Sequence, residues 1–326
     1  MTNLVYNELV KLFGKRRLLI VGVILGVLIS VFTYAQYRQA EDLRKRVGQI
    51  DWRTALEQRI AGWENRLNSA RTSEEQRKEL EVRIAQQRYY LEHNVNPSEP
   101  GAPTFVRGFV ENSIQLLLPL MMMVIASDLV SSEHSGGTVK VLLTRPQRRW
   151  RILLSKYVAL LLSVSFIITL FALLSTVIAG TVFGFQGWSA PVLTGFGITE
   201  GKLDISGVQL IPQGQFIFME FGLAWFVAMV VATITFMLSV LIRSTAAGMG
   251  IMLACLIAGM ILQPMVASWE SAKYLFMVNL ELIDYLVDAA PPVEGMTLGF
   301  SMSVLAAWGA AALLVAFVSF TRRDVQ

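Results

Sequence analysis

The chain has 326 residues, 54% hydrophobic and only 16% charged, with a mean hydropathy of +0.53, whereas soluble domains carry about 25% charged residues. The formal charge of +4 is weak and scattered, Cys255 is the single cysteine, and His93 and His134 are the two histidines. A nucleic-acid binder, a disulfide scaffold and a zinc enzyme are poor fits to this composition, and an all-α polytopic membrane protein is expected.

Residues 1–17 place Val5, Leu9, Leu12 and Phe13 on one helical face, with Asn7, Glu8, Lys11 and Lys15 largely elsewhere. That pattern predicts an interfacial helix on the inner leaflet, the alternative being a solvated leader. Leu18 to Tyr34 follows as a first transmembrane helix. Its apolar run is longer than the roughly 7–15 residues of a cleaved signal, so an uncut helix is expected. Gly22 and Gly26 in it, four apart, permit close helix contact, and either a dimer face or no special role fits them.

Residues 35–112 are expected to form an extracytoplasmic helical hairpin and linker between spans one and two. Leu43, Val47 and Ile50, then Leu56, Ile60, Trp63 and Leu67, recur at spacings of three and four, the mark of a narrow apolar seam. Thr72-Ser73-Glu74-Glu75 supplies a capping box, and Leu80, Ile84 and Leu91 continue the seam on the return. An outgoing arm of this kind extends roughly 45 Å. A sensor or lever and a structural stalk both fit it. Pro97, Pro100 and Pro103 break the helix before the second span.

Five more segments have the length and apolarity of spans: Ser113 to Leu129, Val158 to Phe183, Phe216 to Ile242, Ala246 to Gln263, and Gly299 to Phe320. Residues 130–157 connect spans two and three, 184–215 form a Gly-rich polar outer loop, and 264–298 form outer amphipathic helices. A short tail, 321–326, follows the sixth span. Lys and Arg concentrate in residues 1–17 and 130–157, with Arg243, Arg322 and Arg323 on the same side. Both termini are therefore expected in the cytoplasm. Asp128 and Glu220, close to membrane depth, are candidate substrate-path residues, with a snorkelling or capping role at a hydrated interface as the plainer reading.

The 130–157 segment is the most informative. Gly136-Gly137 breaks the chain, Thr138 can cap a short helix, and Val139, Leu142 and Leu143 give it an apolar side. Arg145 before Pro146 ends that helix, and Pro146 opens the next. An exposed apolar helix in the cytoplasm suits a protein partner, or else rests on lipid.

Glu133, Gly137, Thr138, Leu142, Leu143, Arg145, Pro146, Arg149 and Lys156, placed between spans two and three, resemble the motif of ABC-2 type ABC transporter permeases. Ser155 stands where many members carry Gly. The resemblance extends to six spans, an amphipathic N-terminal helix and cytoplasmic termini, and excludes the 36–95 hairpin, which many members lack. It implies a permease subunit of an exporter in a prokaryotic plasma membrane, paired with a second permease copy or relative. It further implies two cytoplasmic ABC ATPase subunits that carry ATP and Mg, with residues around 137–145 as the coupling helix seated on them. The chain has no Walker A loop, so no P-loop catalysis or bound cofactor of its own is expected. The alternative is a non-transporting membrane sensor or scaffold that signals through the basic loop.

Overall fold

The computed structural model describes the chain apart from residues 15, 48–50, 70–73, 98, 132, 134–146, 200–201, 243, 266–268, 288–292, 294 and 323–326, and apart from the side chains of 43, 44, 46, 47, 74–76, 78, 79, 198, 199, 202, 264 and 287. Among the described residues, five helices are long and apolar enough to cross a membrane, or six if one bent pair is a single span. The protein is a helical, multi-span membrane protein.

A short helix α1 (Thr2–Gly14) leads into α2 (Arg17–Val47). At 1.5 Å per residue α2 is about 46 Å long, well beyond a roughly 30 Å hydrocarbon core. Val21, Leu25, Ile29 and Thr33 repeat every four residues and are buried, whereas Leu19, Val23, Val27 and Val31 are exposed apolar groups. A face of that kind outside water belongs against lipid or a second chain. Gly22 of the small-residue pair turns inward, since a Cβ there would meet Leu170 at 3.1 Å, while Gly26 has open space.

Helices α3 (Trp52–Leu67) and α4 (Glu74–Glu92) pack on each other. Glu64–Arg88 at 2.5 Å and the Arg53–Asn94 hydrogen bond tie them antiparallel. The expected seam is present in part, with Leu56, Ile60 and Ile84 buried. Leu43, Val47, Ile50 and the capping box lie outside the described side chains. The hairpin does not stand free. Leu56, Tyr90 and Val95 form one apolar cluster with Leu193 and Phe196, and the Tyr90 hydroxyl donates to Leu193 O at 3.3 Å.

The second span departs from the expected single helix. Helices α5 (Ala102–Ser113) and α6 (Leu117–Ala126) meet at a 62° bend. Pro103 and Pro119 open the first turn of each, where a missing N–H costs nothing. Ala102, Phe105, Val106, Phe109 and Val110 are buried, so a stretch expected as linker is part of the core. The third span is α7 (Arg149–Phe183), one helix that begins within the 130–157 segment.

Residues 184–215, expected as a loop, contain strands. Strand β1 (Pro191–Thr194) pairs antiparallel with β4 (Gln209–Pro212), and β2 (Gly197–Thr199) with β3 (Lys202–Asp204). Val, Leu, Ile and Thr alternating between glycines favour such pairing over coil. Helices α8 (Gln213–Leu241), α9 (Thr245–Leu262) and α11 (Leu298–Arg322) complete the spans, with α8 packed against α5, α6, α7 and α11 as the central helix. Three 3-10 turns between Gln263 and Asn279 and the short α10 (Asp284–Val287) replace the expected outer amphipathic helices. Gly259 lets this layer approach α9, because a Cβ there would lie 2.7 Å from Met277 Cβ.

Candidate functional site: a buried ion-pair knot at one end and a polar stripe at the other

Lys156 lies two turns into α7 and is 1% exposed. An ammonium has three protons to donate, and each finds an acceptor: Glu8 Oε2 at 2.8 Å, Glu133 Oε1 at 2.7 Å and Leu129 O at 3.2 Å. Lys11 closes the knot, donating to Glu8 Oε1 at 2.9 Å and to Glu133 Oε1 at 3.4 Å. Beside it, Arg17 at the start of α2 reaches Asp128 at 2.8 Å. Buried charges are tolerated only when paired and hydrogen-bonded in this way.

The knot joins α1, α2, the chain just after α6, and α7. It sits where the 134–148 segment leaves and rejoins the membrane core. The approach to that segment is clamped separately, since Ser239 Oγ of α8 accepts from both Val130 N and Ser131 N at 3.1 Å. The Ser131 hydroxyl also meets Thr245 Oγ1 of α9 at 2.7 Å.

Of the residues singled out in the sequence, Glu133 and Lys156 come together in one ion pair and Asp128 lies beside them. Arg149 opens α7 and is half-buried, and Ser155 is buried with its hydroxyl on Ile152 O at 2.8 Å. Gly137, Thr138, Leu142, Leu143, Arg145 and Pro146 lie outside the described residues. The sequence reading missed Glu8, Lys11 and Arg17. Glu8 was assigned away from the apolar face, yet it is 7% exposed, with Leu12 buried beside it. The i, i+3 spacing of Glu8 and Lys11 was the available signal. The other side of α1, with Tyr6, Val10 and Phe13, is exposed and apolar, as an interfacial helix requires.

Burial alone would raise the Glu8 carboxyl, but Lys156 and Lys11 together outweigh it and hold the group below its usual value. Burial likewise opposes the Lys11 charge, and Glu8 and Glu133 outweigh it, leaving Lys11 raised. The folded value of Glu8 is the lower one, so its stabilisation is complete above the unfolded pKa of about 4.3 and fades as pH falls below it. For Lys11 the stabilisation is complete below about 10.4 and fades as pH rises through the higher folded value. Thermal unfolding in neutral detergent should therefore be flat between these limits, and Glu8→Gln should flatten the acid limb. An unchanged acid limb in that variant would show that Glu8 does not carry it.

Toward the opposite end of the spans, Arg107, Glu111 and Gln115 fall at i, i+4 and i+8, one face of α5 and its C-terminal bend. Arg107 lies 3.7 Å from Glu111, and Gln115 donates to Gln263 Oε1 at 2.7 Å. Gln263 in turn donates to Glu281. Glu220 on α8 faces Glu111 and Arg107 and is 0% exposed, and among the described residues neither of its carboxyl oxygens has a hydrogen-bond partner of good geometry, the Glu111 carboxyl being the polar group beside it. Protein encloses the Glu220 side chain on every side. Glu220 and Asp128 thus belong to different ends of the molecule. Arg107 and Glu111 had been placed in the linker, so the stripe was not read from the sequence.

Residues 80–326 match the family described as "Protein of unknown function (DUF2705)". The chain belongs to this family. It is 28% identical over 331 residues to the "Uncharacterized protein YhcI" of Bacillus subtilis (strain 168), covering 100% of this chain and 99% of that relative. It is 24% identical over 217 residues to the "Uncharacterized membrane protein YdbK" of the same organism, covering 66% of this chain and 80% of the relative. The part of the chain before residue 80, with α1, α2 and Glu8, falls outside the family match and inside the similarity to YhcI.

Proposed function

We propose that this chain is the membrane subunit of an ATP-driven exporter, moving a lipid, peptide, antibiotic or similar amphipathic substrate out of a prokaryotic cell. Separate cytoplasmic ABC ATPase subunits supply ATP hydrolysis, and a second permease copy or relative completes the complex. The observation that carries the reading is the Lys156 knot. Glu133 and Lys156 flank the 134–148 segment on its two sides and are bonded to each other and to Glu8 of α1. A push on that segment by a partner is thereby delivered to α1, α6 and α7 together. In this reading the knot lies on the cytoplasmic side with both termini, and the α3–α4 hairpin lies outside.

The outer stripe is the natural counterpart. A span broken at membrane depth and lined by Arg107, Glu111, Gln115 and the buried Glu220 suits a path for a polar headgroup, since irregular backbone and charge inside a membrane are tolerated where they line protein or water. Glu220 supports the pathway role and Asp128 supports the inner end of α2 through Arg17.

The test is Leu142→Ala combined with Leu143→Ala. Truncating a buried interface anchor commonly costs about 2 kcal/mol or more, so ATPase copurification should fall, or ATP turnover should uncouple from export, with membrane insertion intact. Parent-like binding and export in the double variant would remove the 134–148 segment as the coupling element. If no ATPase binds the unmodified protein, a non-transporting sensor or scaffold takes the exporter's place.

A further inference from the structure

Across the membrane from the Lys156 knot, α3, α4 and β3 enclose an open groove of about 500 Å³. That volume is within the roughly 300–1,000 Å³ of small-ligand sites. Its walls are apolar: Leu67, Ile84, Tyr89, Leu203 and Ile205 contribute, and Ile205 is 51% exposed, an unusual position for an isoleucine outside the lipid. Its rim is acidic. Glu64, Glu81 and Glu92 line it against a single base among the described side chains, Arg88. Arg88 is already committed to Glu64 at 2.5 Å, whereas Glu81 and Glu92 make no ion pair among the described residues.

These features select a class of ligand. An anion is repelled by the rim, and a purely polar cation leaves the apolar walls wet. A small neutral amphiphile has no use for the two uncommitted carboxylates. A cationic amphipathic peptide satisfies both, its apolar side chains covering Leu203, Ile205 and Ile84 and its amines meeting Glu81 and Glu92. The Tyr89 ring adds an aromatic face on which a cation can rest. The groove is also held in shape without a ligand. Tyr89 stacks on His93 with ring centroids 3.9 Å apart and meets Phe196 edge-on at 5.8 Å.

We propose that this groove binds cationic amphipathic peptides, making the α3–α4 hairpin and the β2–β3 pair a receptor for them on the face opposite the knot. The site stands whether or not the chain exports anything. The experiment uses the full-length protein in nanodiscs of neutral lipid and the fluorescent peptide Lys-Leu-Trp-Leu-Lys-amide, with Glu-Leu-Trp-Leu-Glu-amide as the anionic counterpart. Saturable binding of the cationic peptide is expected, weakening as salt is raised. Glu81→Gln with Glu92→Gln should weaken it roughly tenfold, and Ile205→Ser should weaken it without changing the salt dependence. Glu57→Gln, an exposed carboxylate on α3 that does not line the groove, serves as the control. All these side chains are exposed, so the fold should survive each change, and circular dichroism checks that it does. The proposal is overturned if the peptide only partitions into lipid as it does with empty nanodiscs, if the anionic peptide binds equally well, or if the double Gln variant binds like the parent.

Discussion

Replacing Lys156 by Met should unfold the protein at a markedly lower temperature in detergent, by an amount equivalent to about 3–5 kcal/mol. The size follows from what remains. Glu8 and Glu133 would still be buried at 7% exposure and at 14% side-chain exposure, with Lys11, half exposed to solvent, as the cation both still share. Breaking a buried pair from one side is far more damaging than removing it whole, because an uncompensated charge is left behind. Adding Glu8→Gln and Glu133→Gln to Lys156→Met should therefore recover much of the loss. Recovery of stability without recovery of the proposed ATP-coupled export would separate the knot's role in folding from the transmitting role proposed for it. A Lys156→Met protein whose unfolding curve overlays the parent's would sink the claim that the knot holds these helices together.

Glu220→Met should act in the opposite direction on stability. A fully buried carboxyl with neither oxygen hydrogen-bonded among the described residues carries a desolvation cost of about 1–3 kcal/mol, which an apolar side chain of similar length does not. The variant should melt higher than the parent and, under the proposed function, lower ATP-driven export by the reconstituted complex. Residues kept at a cost in stability are the ones to suspect of function. A lower melting temperature would mean that donors do reach Glu220. A higher one with unchanged export would leave it a packing defect outside the substrate path.

The spans were legible in the sequence because lipid imposes a length and a composition that few other environments do. The boundaries of α8, α9 and α11 differ from the expected ones by only a few residues. The second span was less legible, since α5 carries Arg107, Glu111 and Asn112 and has three prolines around its start, so it reads as linker, and hydropathy does not register the 62° bend that joins it to α6. The β pairs escaped notice for a related reason: three- and four-residue strands carry too little periodicity to stand out from a glycine-rich loop. In the knot, Glu133 and Lys156 were found through a motif, while Glu8 and Lys11 were not. Helical periodicity says which side of α1 is polar, but not that a neighbouring helix supplies a buried ammonium to that side. Long-range pairing of this kind, 148 positions apart for Glu8 and Lys156, leaves no local trace.

Helix α7 gives the knot and the features at the opposite end of the spans a mechanical relation. It is unbroken from Arg149 to Phe183, and the 27 steps from Lys156 to its far end span about 40 Å. A rod of that length pivoting on the knot converts a tilt of about 10° into a displacement of roughly 7 Å at Phe183. Phe183 stacks on Phe105 of α5 with ring centroids 5.8 Å apart, and the carbonyl of the next residue, Gly184, accepts from Ala102 N at 2.9 Å. The far end of the lever is thus fastened to α5, the first half of the broken span, so a tilt of α7 is passed on to the helix before the bend.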